Sequence, residues 1–291
     1  VLVCPIEGYI HFNELNLYII KRCQPKVIGF LWDDNFTYKQ SHNIFHQLKR
    51  VWLRQSVKKL VKQCNTIFCL SPKMKEECDK EFGITSKLLT KPIFNQGVFK
   101  PYKASDPIKM LYTGNLFVGR DKTMIAIADA LRIVNKDRIK VQLDIYTKSE
   151  LSEKVRCRIE IPNVCKLHKP IPQNEVFELQ KQSDVLLFAE SLDRKKNQDA
   201  RLSFSTKITD YLSAGKCIWT VGSPTLGPVD YMIRTDASLI STDSESILQI
   251  LDIMITNPKI IDDYARKGYE CGVKNHNSAI ILKTLYDTIN R

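Results

Sequence analysis

The sequence predicts an α/β protein with two parallel β-sheets. Short apolar runs typical of buried strands, such as residues 27–32 and 108–113, alternate with amphipathic helical segments over most of the chain. Between residues 96 and 107 this alternation stops, and two prolines and a glycine stand in a stretch without apolar periodicity. After this linker the alternation starts again. We therefore expect a first domain over residues 1–100 and a second over residues 101–291.

The predicted elements follow in order along the chain. In the first domain we expect strands at residues 27–32 and 66–70 with a long helix at 41–63 between them, and a short helix that opens at Ser71-Pro72. The opening run, VLVCPIEGYI, has a strand pattern and no initiator Met, so we expect earlier strands of this domain to precede it. The second domain should contain strands at 108–113, 141–146, 164–168, 184–190, 217–221 and 237–240, and helices at 123–134, 173–182, 244–255, 258–274 and 278–290.

Composition restricts the partners and the compartment. The formal net charge of +12 at pH 7 favours a phosphorylated small molecule or an anionic lipid surface as partner. Nucleic acid is not expected, because no helix-turn-helix, zinc-finger or RNP pattern is present. No apolar run approaches the roughly 20 residues of a membrane-spanning helix, and no signal peptide is visible. Nine cysteines without a CxxC pair predict a reduced, cytoplasmic protein with no metal site.

Residues 202–216, LSFSTKITDYLSAGK, predict a hydroxyl-rich turn that leads into a short helix and then into the buried run 217–221. Free backbone N–H groups and the helix dipole make such a turn a potential anion site. Lys207 would add a cation for phosphate, and Asp210 a carboxylate for vicinal hydroxyls, as a ribonucleotide diphosphate requires. An ordinary capped helix with a solvated Lys and Asp would show the same spacing.

Two further stretches are candidates for binding. The loop that begins with Gly114 and Asn115 places Arg120 and Lys122 before the predicted helix 123–134, a second potential phosphate site, although it is neither a Walker A loop nor a GxGxxG. Asp33 and Asp34 follow the strand 27–32, at the edge where ligands collect in open α/β sheets. They are either a turn cap or contacts to substrate hydroxyls.

The predicted helix at residues 41–63 is amphipathic. Its basic side carries Lys49, Arg50, Arg54, Lys58, Lys59 and Lys62. A solvated helix face has this composition, and so does a surface that adheres to anionic lipid, because the helix also carries Trp52.

Three stretches, YTGNL…GR…K at 112–122, HKPIPQNEVFELQKQSDVLLFAES at 168–191 and SFSTKITDYLSAGK at 203–216, resemble the nucleotide-binding domain of GT-B glycosyltransferases. The retaining family-4 type, which builds bacterial surface polysaccharides, is the most similar kind. The resemblance covers residues 106–291, and residues 1–100 resemble only the later part of the N-terminal, acceptor-binding domain. It implies two Rossmann-like domains of GT-B type, the N-terminal one incomplete.

The resemblance also implies an activity. A sugar would pass from a nucleotide diphosphate sugar, with UDP the expected nucleotide, to a hydroxyl of a lipid-linked or glycan acceptor, without a metal ion. The protein would then work in the cytoplasm. This expectation extends to peripheral attachment at the inner membrane face.

The resemblance implies roles for individual residues, according to their positions in the matching stretches. Arg120 and Lys207 would neutralise the leaving diphosphate, with Asp33 as a third candidate catalytic residue from the other domain. The donor would be held by Gly114, Asn115 and Lys122 at the diphosphate, by the turn Ser203, Phe204, Ser205 and Thr206, by Asp210 at the ribose, and by Pro170 and Ile171 at the base.

Three departures from the family pattern support an alternative. Leu202 stands where the family often has a Glu, no His follows the strand that ends at Trp32, and the first βα unit is missing. A nucleotide-sugar-binding subunit without catalysis of its own is therefore the second hypothesis.

Overall fold

The structure, a computed structural model, describes residues 1–6, 8–36, 44–94, 96–193 and 201–290. These residues form two separate β-sheets in which every pair of neighbouring strands is parallel. Helices follow the strands in both sheets, as crossover connections between parallel strands require. The predicted fold class, α/β with two parallel sheets, is confirmed.

The first sheet has four strands in the order β1-β2-β3-β4. Its elements are β1 (Leu2–Ile6), α1 (Ile10–Cys23), β2 (Val27–Leu31), α2 (Ile44–Val61), β3 (Thr66–Cys69), α3 (Pro72–Phe82) and β4 (Lys87–Leu88). Ser71 accepts a hydrogen bond from the Met74 N–H and so caps α3, with Pro72 at the first helical position as predicted. The predicted helix at 41–63 is α2, and residues 41–43 lie outside the described part of the chain.

The second sheet has six strands in the order β10-β9-β8-β5-β6-β7. Its elements are β5 (Ile108–Thr113), α4 (Arg120–Val134), β6 (Val141–Tyr146), α5 (Glu153–Ile159), β7 (Cys165–His168), α6 (Gln173–Gln182), β8 (Val185–Ala189), α7 (Lys207–Ala214), β9 (Cys217–Val221), α8 (Gly227–Thr235), β10 (Leu239–Ser241), α9 (Ser244–Thr256) and α10 (Lys259–Asn275). All residues of β8 and β9 are buried, because helices cover both faces of the sheet.

The sequence order of the strands reverses between β8 and β5. From β5 the chain runs outward to β6 and β7, and then returns to the other side of β5 with β8, β9 and β10. At such a switch point the connections leave toward opposite faces, and a crevice opens at the carboxyl ends of the two strands. The candidate site lies at this edge of the sheet.

One helix boundary differs from the prediction. Arg120 and Lys122 were expected in a loop before a helix at 123–134, whereas α4 begins at Arg120. Gly119 adopts a left-handed conformation with φ of 82°, and the Thr123 N–H donates to its carbonyl, so the helix starts directly after this glycine. Both basic residues therefore lie in the first turn of α4.

The last helix, α11 (Ser278–Asn290), packs against the first sheet. Ile281, Leu285 and Ile289 of α11 cover Ile28 and Phe68. The Lys26 ammonium donates to the Thr288 carbonyl at 2.5 Å. The predicted second domain of residues 101–291 thus includes a helix that completes the core of the first sheet, while the boundary near residue 100 stays a prediction.

Segments from both sheets meet around residues 201–203. Leu202 is fully buried in the core of the first sheet, next to residues of β2 and α2. Arg201 forms a two-pronged ion pair with Glu77 of α3, and Arg234 of α8 pairs with Glu76 in the same way. The turn that precedes α7 is therefore anchored on the first sheet.

Two sequence predictions about composition can be compared with the fold. All nine cysteines are free thiols, and six of them are buried. Within the described ranges, no helix combines the length and the apolar character that crossing a bilayer requires.

Candidate functional site

A cleft of about 620 Å³ opens at the carboxyl ends of the strands on the β5, β6 and β7 side of the second sheet. Eight of the residues predicted for donor binding line it: Gly114, Asn115, Arg120, Pro170, Ile171, Thr206, Lys207 and Asp210. They come from three separate connections: from β5 into the start of α4, from β7 to α6, and from β8 into the start of α7. The parallel strands bring these connections together because their carboxyl ends share one edge.

Arg120 is held by a carboxylate that the sequence analysis did not assign to the site. The Arg120 Nε donates to Glu190 Oε2 at 2.9 Å, and Nη2 donates to Oε1 at 2.8 Å. Glu190 follows β8 directly and is 6% exposed. Burial raises the pKa of the Glu190 carboxyl, and the Arg120 guanidinium opposes this shift.

Lys207, the first residue of α7, reaches over Gly114. Its Nζ would lie 2.2 Å from a Cβ at position 114, so a side chain there would displace the Lys207 ammonium. The same ammonium stands 4.9 Å from the centre of the Tyr112 ring. Burial and, after it, the nearby Arg120 charge lower the pKa of Lys207 to about 8, and Glu190 opposes both. The ammonium is therefore only partly hydrated, which strengthens its attraction to an anion.

Asp210 is paired with a lysine from the segment after β4. The Lys91 Nζ lies 2.9 Å from Asp210 Oδ1 and also donates to the Thr206 carbonyl at 3.3 Å. Lys91 lines the same cleft. Asp210 is thus oriented at the cleft wall by a residue from outside the second sheet.

The end of the cleft near β6 and β7 is aromatic. The rings of Tyr146 and His168 stack at 4.5 Å with an angle of 13° between their planes, and His168 Nε2 lies 2.6 Å from Asp144 Oδ1. Tyr146 lines the cleft together with Pro170 and Ile171. A flat ring at this end suits a planar heterocycle.

The turn before α7 faces two ways. Phe204 is buried, with its ring edge-on to Tyr231 at 5.2 Å and stacked on His276 at 6.1 Å. The Ser203 hydroxyl donates to Asp33 Oδ1 at 2.5 Å. This contact joins the predicted acceptor-side carboxylate, which is itself exposed, to the turn on the donor side.

Five predicted residues do not line the cleft among the residues described. They are Asp33, Lys122, Ser203, Phe204 and Ser205. Lys122 is exposed on α4. The predicted contacts of residues 203–205 were to be made by backbone amides, so the burial of the Phe204 side chain leaves that prediction standing.

Several solved structures share the whole arrangement of the two sheets. TarM aligns with a TM-score of 0.71 over 99% of this chain at 10% identity. The Anabaena protein HepE in complex with UDP aligns with a TM-score of 0.72 over 97% of the chain at 11% identity. WaaG, a glycosyltransferase involved in lipopolysaccharide biosynthesis, aligns at 0.60 over 93% at 14% identity. This chain has the GT-B glycosyltransferase fold.

The GT-B neighbours differ from this chain in length and in sequence. The chain spans 54% of TarM, 77% of HepE and 79% of WaaG. No protein-family model matches the sequence, and no curated protein matches it either. Similarity at these low sequence identities shows the fold alone. The residues of this chain decide what its cleft can bind.

A second cavity of about 530 Å³ adjoins the GT-B cleft and shares Lys91, Gln180 and Asp210 with it. Gln180 of α6 is 2% exposed, and its Oε1 has no hydrogen-bond partner among the described residues. The accessible surface of this cavity is mainly apolar, and Ile93 and Phe177 are among its lining residues. The Gln180 side chain therefore forms part of the wall between the cleft and this second cavity.

The chemistry available in the GT-B cleft is that of anion and hydroxyl binding. Arg120 and Lys207 supply two cations, Asp210 a carboxylate, and Tyr146 an aromatic surface. In the described ranges no group of three His, Cys, Asp or Glu side chains is placed to hold a metal ion. Arg120 and Lys207 together can neutralise a diphosphate.

Proposed function

We propose that this protein is a glycosyltransferase that moves a sugar from a nucleotide diphosphate sugar, with UDP as the nucleotide, to a hydroxyl acceptor in the synthesis of a surface glycan. The observation that carries the proposal is the convergence of Arg120, Lys207 and Asp210 in one cleft at the switch point of the second sheet. Two structures of a fold neighbour support the ligand class, since HepE is solved with UDP and with UDP-glucose.

Each part of the donor has a complementary wall. The diphosphate would lie between Arg120 and Lys207, close to the backbone of Gly114. The ribose hydroxyls would donate to Asp210, because a carboxylate can accept several hydrogen bonds and one of them from Lys91 leaves room for others. The base would lie against Tyr146 beside Pro170 and Ile171.

Transfer would depend on stabilising the leaving diphosphate. As the glycosidic bond breaks, negative charge grows on the phosphate oxygen, and cations that are already in place lower the barrier. Lys207 is well suited because burial has removed much of its hydration before the donor arrives. The anion would in turn favour the protonated form of Lys207.

The acceptor would approach from the first sheet. Asp33 follows β2, is exposed, and is tied to Ser203 at the junction of the two sheets. In this position its carboxylate would contact an acceptor hydroxyl. A mutant of TarM, solved in complex with α-GlcNAc-glycerol and UDP, supports the idea that a glycan-type ligand and a nucleotide can be held together on this fold.

A non-catalytic nucleotide-sugar-binding subunit is the second candidate, and one observation favours it. Leu202, at the position where the resemblance would place a Glu, is fully buried in the core of the first sheet. No carboxylate can act from there without disrupting that core. A transferase would then have to work without a carboxylate at this position.

Turnover separates the two candidates. We would incubate the protein with UDP-glucose, with and without a glycan acceptor, and measure release of UDP. A transferase should release UDP faster with acceptor, and Lys207→Ala should slow release by orders of magnitude. The matched control Lys259→Ala, an exposed lysine at the start of α10, should keep the wild-type rate. Binding of UDP without any release from UDP-glucose would favour the binding subunit.

We further propose peripheral attachment to an anionic membrane surface on the cytoplasmic side, which would bring a lipid-linked acceptor to the first sheet. The first half of α2 exposes Phe45 to 76% and Trp52 to 66%. The buried residues of this helix all lie in its later part, between Leu53 and Val61. Lys58, Lys59 and Lys62 are exposed at the end of the helix. Aromatic side chains beside lysines suit an anionic interface.

A further inference from the structure

Glu190 is fixed in place by three neighbouring elements. Its N–H donates to the Val221 carbonyl at the end of β9 at 2.8 Å, and its carbonyl accepts from the Thr123 hydroxyl of α4 at 2.8 Å. A Cβ at Gly222 would lie 2.9 Å from the Glu190 Cβ, so this glycine leaves the space that the side chain needs. The carboxylate is therefore directed by the sheet itself toward the start of α4.

The contact with Arg120 uses both carboxylate oxygens. The two N–H···O distances of 2.9 and 2.8 Å describe a fork-to-fork pair, which requires two acceptor oxygens and hence an ionised carboxylate. The Arg120 side chain would otherwise be free to rotate about several bonds at the first residue of a helix. Pairing with a fixed partner sets the plane of the guanidinium at the mouth of the cleft.

We propose that Glu190 is a positioning residue of the diphosphate site, which fixes the guanidinium plane of Arg120 and places a negative charge next to the cations of the cleft. The inference rests on the proposed function for the identity of the ligand, but the arrangement itself belongs to the protein without ligand. Glu190 thereby acts through two other side chains and needs no contact with the donor.

The charged groups around Lys207 show how Glu190 favours its ammonium form. Arg120 approaches from α4, Glu190 from the end of β8, and the Tyr112 ring from β5. Asp210 lies on the same helix as Lys207 but is paired with Lys91. Burial and Arg120 both disfavour the Lys207 ammonium, and Glu190 is the acid that offsets them. Without Glu190, the effects of burial and of Arg120 on the ammonium would be unopposed.

A titration without ligand tests the proposal first. Lysines labelled with ¹³C at Cε would be followed by NMR, and the Lys207 signal would be identified by its loss in Lys207→Met. Wild-type Lys207 should titrate near pH 8, which is the value that burial and its neighbours set. Glu190→Gln should lower this midpoint by roughly one pH unit, because an attracting charge is lost. Arg120→Gln should raise it, because a repelling charge is lost, and the exposed-surface control Glu270→Gln on α10 should leave it unchanged.

Opposite shifts in the two variants support the proposal, and an unchanged midpoint in Glu190→Gln overturns it. Circular dichroism would establish that each variant is folded. If Glu190→Gln does not fold, the Arg120→Gln titration decides, since a Lys207 midpoint that stays in place or falls would show that the three charges are not coupled.

A double-mutant cycle with UDP tests positioning. At pH 8 Glu190→Gln should weaken UDP binding about tenfold, the equivalent of one pKa unit. In the Arg120→Gln background the same change should have a clearly smaller effect on Kd, because the side chain it positions is gone and only its charge near Lys207 is lost. Independent, additive effects would contradict a positioning role. A wild-type protein that titrates as expected but binds no UDP would contradict the proposed function and leave the role of Glu190 in the charge cluster intact.

Discussion

The Lys91 ammonium lies 2.9 Å from Asp210 Oδ1, an ion pair between residues that are 119 positions apart in the chain. Lys91 belongs to the segment after the last strand of the first sheet, and Asp210 to the helix that opens the candidate donor site. The same ammonium donates to the Thr206 carbonyl. The carboxylate that we expect to hold the ribose is therefore oriented by the part of the chain that links the two sheets.

Replacing Asp210 by Asn should weaken UDP binding at least tenfold. The ribose hydroxyls would lose a charged acceptor, and hydrogen bonds to charged groups contribute about 1.5–3 kcal/mol. Inorganic pyrophosphate, which has no ribose, should bind the variant no more weakly than the wild type. Calorimetry with both ligands measures this, with Asp252→Asn on the exposed side of α9 as control. Equal losses for UDP and pyrophosphate would place Asp210 away from the ribose.

Gly114→Ala should abolish measurable UDP binding or weaken it at least tenfold. Gly114 has a φ of 146°, which side-chain-bearing residues rarely adopt, and a methyl group there would collide with the Lys207 ammonium. The control is Gly97→Ala, because a Cβ at position 97 meets no atom within 4 Å. Thermal melts should show a loss of stability for the first variant only. Wild-type affinity in Gly114→Ala would contradict the close approach of Lys207.

UDP affinity should fall as the pH rises from 7 to 9. The pKa of Lys207 is about 8, below its ordinary value of 10.5, and the diphosphate binds the protonated form. Below pH 8 the ammonium is charged and binding is strongest. Lys207→Met should remove most of this pH dependence as well as most of the affinity. A wild-type profile that is flat over this range would contradict the assignment of Lys207 to the diphosphate.

The lowered pKa of Lys207 makes the stability of the folded protein change with pH in the direction opposite to UDP affinity. Between about pH 8 and 10.5 the unfolded chain keeps the Lys207 proton and the folded protein does not, so this group makes the free energy of unfolding rise with pH. Urea unfolding of wild type and Lys207→Met at pH 7 and pH 10 measures it. The free energy of unfolding of Lys207→Met, relative to that of the wild type, should be higher at pH 7 than at pH 10. An equal difference at the two pH values would contradict the lowered pKa of Lys207.

Binding to vesicles should depend on their charge and on salt. Lys58, Lys59 and Lys62 should each contribute on the order of 1 kcal/mol near an anionic surface, and high salt should remove this attraction. Co-sedimentation with anionic and with neutral vesicles, at low and high salt, measures it. Replacing the three lysines by Gln should abolish sedimentation, whereas the same change at Lys136, Lys140 and Lys259 on the other sheet should not. Equal binding to neutral and anionic vesicles would contradict an electrostatic attachment.

The alternation of strands and helices could be predicted because it depends on local sequence patterns. Runs such as Cys217–Val221 are apolar throughout since both faces of a parallel sheet are covered, and Gly215 ends α7 in a left-handed conformation as predicted. Helix α1 was missed because its apolar residues are largely exposed and only Asn13 and Ile20 are buried. The exposure of Phe45 and Trp52 depends on which neighbours cover α2, which periodicity does not reveal.

The site was predictable where its residues lie near a helix start or a strand end. Arg120, Lys207 and Asp210 stand at such places and do converge, although their roles stay predictions. Glu190 was placed inside the predicted strand 184–190, whereas β8 ends at Ala189 and leaves the Glu190 carboxylate directly after a buried strand, and Asp33 likewise follows β2. Lys91 gave no signal, because its partner is 119 residues away and the pairing depends on how the linker runs.

The most direct test of the account is titration calorimetry with UDP on the wild-type protein, Lys207→Ala and Lys259→Ala at pH 7.5. The account predicts one UDP per chain for the wild type and for the control, and binding at least tenfold weaker for Lys207→Ala, since a partly buried cation is lost from the diphosphate. No UDP binding by the wild type, or equal binding by all three proteins, would contradict it.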